Sequence, residues 1–116
     1  MSYFSNKFYK KEQSVNRSLR IDEDLYLRLE NLSKNVYDAS ISKLVSASIE
    51  RLIETENIQI YERKNKSYVS RSFLLRESLL DSLYELKDKY GVSLCLLINV
   101  AIRNALLEED EKEKLG

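Results

Sequence analysis

Histidine is missing from the chain altogether, and so are tryptophan and proline. Histidine is the commonest metal ligand and the commonest acid–base group near neutral pH. Its absence, with a single cysteine (Cys95), excludes ordinary zinc sites and Ser-His or Cys-His nucleophiles. No Asp/Glu cluster stands apart from helix-surface charge, so no catalytic residue, metal site or cofactor is assigned, and the chain is not expected to be an enzyme. One cysteine also excludes an intramolecular disulfide and fits a reducing compartment. With no proline and only two glycines in 116 residues, long helices with few tight turns are favoured. No apolar run approaches a membrane span, and the first residues lack a signal-peptide apolar core. A cytoplasmic protein without a membrane partner is the expectation.

Net charge is zero, yet the charges are segregated. Residues 1–20 hold Lys7, Lys10, Lys11, Arg17 and Arg20 against Glu12 alone; residues 62–76 hold Arg63, Lys64, Lys66, Arg71 and Arg76 against Glu62 alone. Residues 108–114 hold five acids against Lys112 and Lys114. A nucleic acid responds to a local basic face rather than to the total.

What the chain does contain is a repeat. Val15-Asn16-Arg17-Ser18-Leu19-Arg20-Ile21 returns 54 residues later as Val69-Ser70-Arg71-Ser72-Phe73-Leu74-Leu75. Leu25, Leu29 and Leu32 return as Leu79, Leu83 and Leu86 at the same offset. A second apolar segment, Ser40 to Ile53, returns as Ser93 to Leu106 at an offset of 53, one residue being lost in the turn between. Internal repeats fix architecture before local propensity does.

Within each copy the period changes from two to 3.6. Leu19 and Ile21 alternate with Asn16, Ser18 and Arg20, the pattern of a half-buried strand. Asp22 stands where an N-cap belongs, and Glu23 and Asp24 follow in the first turn. Leu25, Leu29, Leu32 and Val36 then predict one face of a helix. Tyr37-Asp38-Ala39 breaks it, Ser40 or Ser42 caps the next helix, and Leu44, Val45, Ile49, Leu52 and Ile53 form its buried face. In the second copy Arg76 replaces Asp22 as a poorer cap. Leu79, Leu83, Leu86 and Tyr90 make the stripe, Gly91 suits the left-handed residue that ends a helix, and Ser93 caps the last helix. From Leu94 to Ile102 only Asn99 is polar, which predicts a central, buried helix with Cys95 packed on it. The expected organisation is a flexible basic arm (1–14), a first unit (15–54), a linker (55–68) whose conformation is left open, a second unit (69–107) and a solvated acidic tail (108–116).

Strand, amphipathic helix, short serine-bearing turn, apolar helix: this order is similar to the ribbon-helix-helix family of DNA-binding proteins, the MetJ/Arc-like group. The resemblance is carried by Ser18-Leu19-Arg20-Ile21-Asp22-Glu23-Asp24-Leu25 with Ser40-Ile41-Ser42, and again by Ser72-Phe73-Leu74-Leu75 with Gly91-Val92-Ser93. It covers two tandem copies and most of the chain. Units of that family come in pairs, two strands forming an antiparallel ribbon over four interlocked helices. The resemblance therefore implies a mainly α fold with a two-stranded antiparallel ribbon, an intramolecular ribbon-helix-helix pseudo-dimer. A unit of about forty residues buries too little surface to stand alone, and tethering supplies its partner at high effective concentration.

The function implied is sequence-specific binding of double-stranded DNA by the ribbon in the major groove, as a transcriptional repressor. Carried over by position, base readout falls to Asn16, Ser18, Arg20, Ser70, Ser72 and Leu74. Arginine suits guanine O6/N7, asparagine suits adenine, and leucine reaches only a thymine methyl. Phosphate contacts fall to the second helices' N-termini, at Ser40, Ser42, Lys43, Ser93, Leu94 and Cys95. Arg17 and Arg71 stand at inward-facing positions where the family usually has an apolar residue, and are assigned to the DNA backbone near the ribbon ends. Leu74 in the place of Arg20 makes the two strands unequal and implies a non-palindromic site. The alternatives are an accessory DNA binder in plasmid partition or transfer, an antitoxin, and a helical protein–protein assembly module without DNA binding. Self-association of two chains on DNA is left open.

Overall fold

The computed structural model describes residues 13–62 and 67–115. Two strands of equal length, β1 (Ser14–Asp22) and β2 (Tyr68–Arg76), each lead directly into a pair of helices. After β1 come α1 (Glu23–Asn31), a π-helical turn (Leu32–Val36) and α2 (Ile41–Thr55); after β2 come α3 (Glu77–Tyr90) and α4 (Leu94–Leu115). The fold is mainly helical, with one two-stranded antiparallel sheet.

The sheet register is centred on the repeat. Ser18 pairs with Ser72, its own counterpart, and the pairing runs outward to Ser14 opposite Arg76 and Asp22 opposite Tyr68. The ladder continues one step at each end, where Glu23 N–H donates to Ser67 C=O and Glu77 N–H to Gln13 C=O, both at 3.0 Å. Period-two alternation does the rest. Leu19, Ile21, Phe73 and Leu75 are buried beneath the ribbon, and the residues between them face away.

The two halves interlock rather than sit side by side. The second helix of each half packs on the strand of the other, α4 on β1 and α2 on β2, and α2 and α4 pack on one another. A single core results, drawing Leu25 and Leu29 from α1, Val45, Ile49 and Leu52 from α2, Leu79, Leu83 and Leu86 from α3, and Leu97, Ile98 and Ile102 from α4. The expected central helix is there: Leu97 to Ile102 is buried on every position. Among the described residues no single helix is long and apolar enough to cross a membrane.

Helix ends follow local chemistry in most places. Ser40, not Ser42, caps α2, its hydroxyl accepting from Lys43 N–H at 3.2 Å. Ser93 does the same for α4 through Leu96 N–H at 3.1 Å. Gly91 ends α3 in the left-handed region at φ 63°. At the end of α2 a non-glycine, Glu56, also takes the left-handed region at φ 49°, held there by Lys89 Nζ at 2.8 Å.

Two expectations are corrected and a third is extended. Val36 was read as the last residue of a buried stripe, but it is 52% exposed. The helix passes into a π turn at Leu32, closed by Tyr37 N–H on Leu32 C=O at 2.8 Å, and the extra residue in that turn rotates the stripe away from the core. Asp22 takes the N-cap place but makes no capping bond, because its carboxylate is turned to the Tyr61 hydroxyl. The acidic end is largely exposed, and it is helical: α4 runs unbroken to Leu115 over the first half of the chain. Glu108 meets Arg51 at 3.1 Å, Asp110 meets Arg28, and Glu109 accepts from the Tyr37 hydroxyl at 2.8 Å. A hydrogen bond with Tyr37, with Glu109 nearby, holds the Lys112 ammonium above the ordinary lysine range. Glutamate and lysine are good helix formers, and nothing before Gly116 interrupts them. Residues 1–12 of the expected arm (1–14) and Arg63, Lys64 and Lys66 lie outside the described residues, whereas Gln13 and Ser14 belong to the ladder and strand β1.

Candidate nucleic-acid interface

The ribbon's outer face gathers all six residues expected to read bases. Asn16 lies opposite Leu74, Ser18 opposite Ser72 and Arg20 opposite Ser70, and all six are exposed. Directly opposed residues share a face, so the sequence alternation alone places them together once the register is set. Nine residues per strand give a ribbon about 30 Å long.

The two ends of this face differ. At one end the Arg20 guanidinium lies over the Tyr68 ring, 5.0 Å from its centroid. Tyr68 opens β2 and is 48% exposed. It extends the face by one residue beyond the strand expected from the sequence, and its position two before Ser70 in the alternation was the available signal. At the repeat-equivalent end stand Leu74, 56% exposed, and Ser14. One end therefore presents a stacked cation and the other an apolar side chain beside a hydroxyl.

Arg17 and Arg71 have inner-face register and are nonetheless exposed. Arg17 donates to the Tyr84 hydroxyl and lies 5.7 Å from that ring's centroid. Arg71 lies 5.3 Å from the Tyr26 ring, and its guanidinium donates to Ser70 C=O at 2.8 Å. Each arginine is thus held by a tyrosine of the other half's first helix. The tyrosines explain how charge is tolerated at inward positions: cation and ring cover one another at the rim.

The second helices' N-termini flank the ribbon. Ser42 and Lys43 line a hollow of about 340 Å³ with Ser46, Ala47, Glu50, Leu74 and Arg76. Ser93, Cys95, Leu96, Asn99 and Tyr61 line the equivalent hollow, about 80 Å³. The smaller hollow is the better filled. The Asn99 amide accepts from Asp22 N–H at 2.8 Å and donates to Arg20 C=O at 2.9 Å, so one side chain satisfies two backbone groups along the free edge of β1. The Cys95 thiol also donates to Arg20 C=O, at 3.2 Å. Cys95 is consequently committed to the strand backbone, and Leu94 beside it is half-buried, whereas Lys43 is exposed. Asn99 was seen in the sequence only as the polar exception in an apolar run. A buried amide needs partners, and here they are the backbone of the strand that carries Arg20.

No known protein family, curated protein or solved structure matches the chain.

Proposed function

We propose that the chain is an intramolecular ribbon-helix-helix pseudo-dimer that binds double-stranded DNA, with the outer face of the ribbon in the major groove, and acts as a transcriptional repressor. The observation that carries the reading is the register: Ser18 opposite Ser72 brings Asn16, Ser18, Arg20, Ser70, Ser72 and Leu74 onto one exposed face of a two-stranded ribbon. A groove about 12 Å wide admits two strands about 4.8 Å apart with their side chains directed at base edges. The interlocked helices beneath hold that face rigid, and Tyr68 holds Arg20 over it. Exposed Lys43 and the capped start of α2 supply a cation and a helix N-terminus of the kind that suits a phosphate.

The reading assigns unequal work to the two ends. Arg20 is suited to guanine and Asn16 to adenine, whereas Leu74 offers only contact with a thymine methyl. The preferred duplex is therefore non-palindromic. Selection of bound duplexes from a random pool, followed by footprinting, tests specificity, symmetry and length together. Specific binding with a steep loss of affinity as salt rises is the expected result. Absence of duplex binding at low salt overturns the reading and leaves a helical assembly module; a perfect palindrome centred on the ribbon overturns the unequal readout.

A further inference from the structure

The strand end of each half is joined to the second helix of the other, directly at one place and through Tyr61 at the other, and the two places are repeat-equivalent with opposite signs. Arg76, at the end of β2, forms an ion pair with Glu50 on α2. Asp22, at the end of β1, is the counterpart of Arg76 at the strand offset of 54 residues, and Arg103 on α4 is the counterpart of Glu50 at the second-helix offset of 53. There the Tyr61 hydroxyl donates to the Asp22 carboxylate while the Arg103 guanidinium lies 4.7 Å from the centroid of the Tyr61 ring. The first half thus has an acidic strand end and an acidic helix position; the second half has both basic. Asp22 is only 2% exposed, so a like charge brought opposite it would be poorly screened by solvent.

We infer that this exchange of sign selects the partner: each half is matched to the unlike half and mismatched to a second copy of itself. Two first halves from different chains would set Asp22 against Glu50 and put Ser46 where Asn99 bonds the strand. Two second halves would set Arg76 against Arg103. Like charges at both ends raise the cost of the wrong pairing while the right one gains attraction, and such repulsion is how closely similar helical units sort their partners. The apolar core cannot do this, because Leu25, Leu29 and Val45 face the same kind of surface as Leu79, Leu83 and Ile98. The consequence is that every folded ribbon carries one Arg20 end and one Leu74 end. The inference does not depend on DNA binding, and its test involves none.

Ser18 faces Ser72 in the unlike pairing but would face another Ser18 in a like pairing of first halves. Asn99 bonds the backbone of Arg20 and Asp22 at the outer edge, so even-numbered residues form the non-hydrogen-bonded pairs, whose close Cα spacing suits a disulfide. The probe is the full chain carrying S18C with C95S, unfolded, refolded at high protein concentration and oxidised with oxidised glutathione. With the native charges it should remain a single chain on a non-reducing gel. E50R with R76E keeps both native contacts complementary but makes the like pairings complementary too, and interchain disulfide should rise several-fold. E50R with R103E reverses the preference altogether and should give the most. Should this last variant fail to fold, E50R with R76E decides alone, since its own contacts remain matched. Equal interchain disulfide in the native and the E50R/R76E backgrounds would overturn the inference.

Discussion

The first and second halves of this chain share a plan and differ in nearly every contact that the plan allows them to choose. Each has a nine-residue strand and two helices. One end of the ribbon sets Arg20 on Tyr68, while the other leaves Leu74 exposed opposite Asn16. Asn99 fills the edge of β1, while Ser46 and Ala47 leave the equivalent edge of β2 open to a hollow. Gly91 ends the first helix of the second half in the left-handed region, while the first helix of the first half ends through a π turn at Tyr37, which is extended. The lesson is that symmetric scaffolding and asymmetric chemistry are separable. The buried leucines keep the halves equivalent, and the polar residues at their rims make them different.

The strongest way to break the comparison is in the core. Leu29 and its counterpart Leu83 are 2% and 0% exposed, so Leu29→Ala and Leu83→Ala should each cost about 2–5 kcal/mol in urea unfolding. Because the halves share one core, each variant should still unfold in one transition; two separated transitions would show independent domains. Next comes the edge. Asn99→Ala strips two bonds from the β1 backbone and should cost about 1–3 kcal/mol, whereas Ser46→Ala, with no such bonds to lose, should be near neutral in the same assay. On DNA, Arg20→Ala should weaken specific binding by about 1–3 kcal/mol. Leu74→Arg sharpens the same point, since it should convert the selected duplex toward a palindrome. Tyr68→Ala, which removes only the support beneath Arg20, should cost less, about 0.5–1 kcal/mol of affinity.

Smaller effects are expected at the helix ends. Gly91→Ala should lose about 1 kcal/mol, measured by thermal unfolding, because its φ of 63° is unfavourable for any residue with a Cβ. At Glu56 the effect is smaller still and depends on pH. A hydrogen bond and charge from Lys89 hold the Glu56 carboxyl below the ordinary glutamate range. The stability it contributes is therefore present above that ordinary range and is lost as pH falls through the depressed value. Glu56→Gln should flatten this slight acid sensitivity in melts taken between neutral and acidic pH.

Much of the scaffold was legible because it is written in short-range periods. Alternation around Leu19 and Phe73, leucines spaced for one helix face, Gly91 at a helix end and Ser40 and Ser93 at helix starts each depend on neighbours a few residues away. The six outer-face residues were legible for the same reason. Val36 was misread because a π turn shifts the period without any proline or glycine to announce it. The helical form of the acidic end was not legible because its pairing with Arg28, Arg51 and Tyr37 joins residues far apart in the chain. Tyr61 and Arg103 were passed over because nothing local links them to Asp22, a contact that spans 39 residues to the tyrosine alone.

By itself, then, the amino-acid order determined that there are two units, what each is made of, and which strand residues turn outward. Folding decided which strand each second helix covers, that Asn99 finishes the backbone of β1, and that Arg76 meets Glu50 at one end of the ribbon while Tyr61 lies between Asp22 and Arg103 at the other. The division has a physical cause. Periodicity is a property of successive residues, whereas partnership is settled only when segments separated by half the chain compete to bury the same surface.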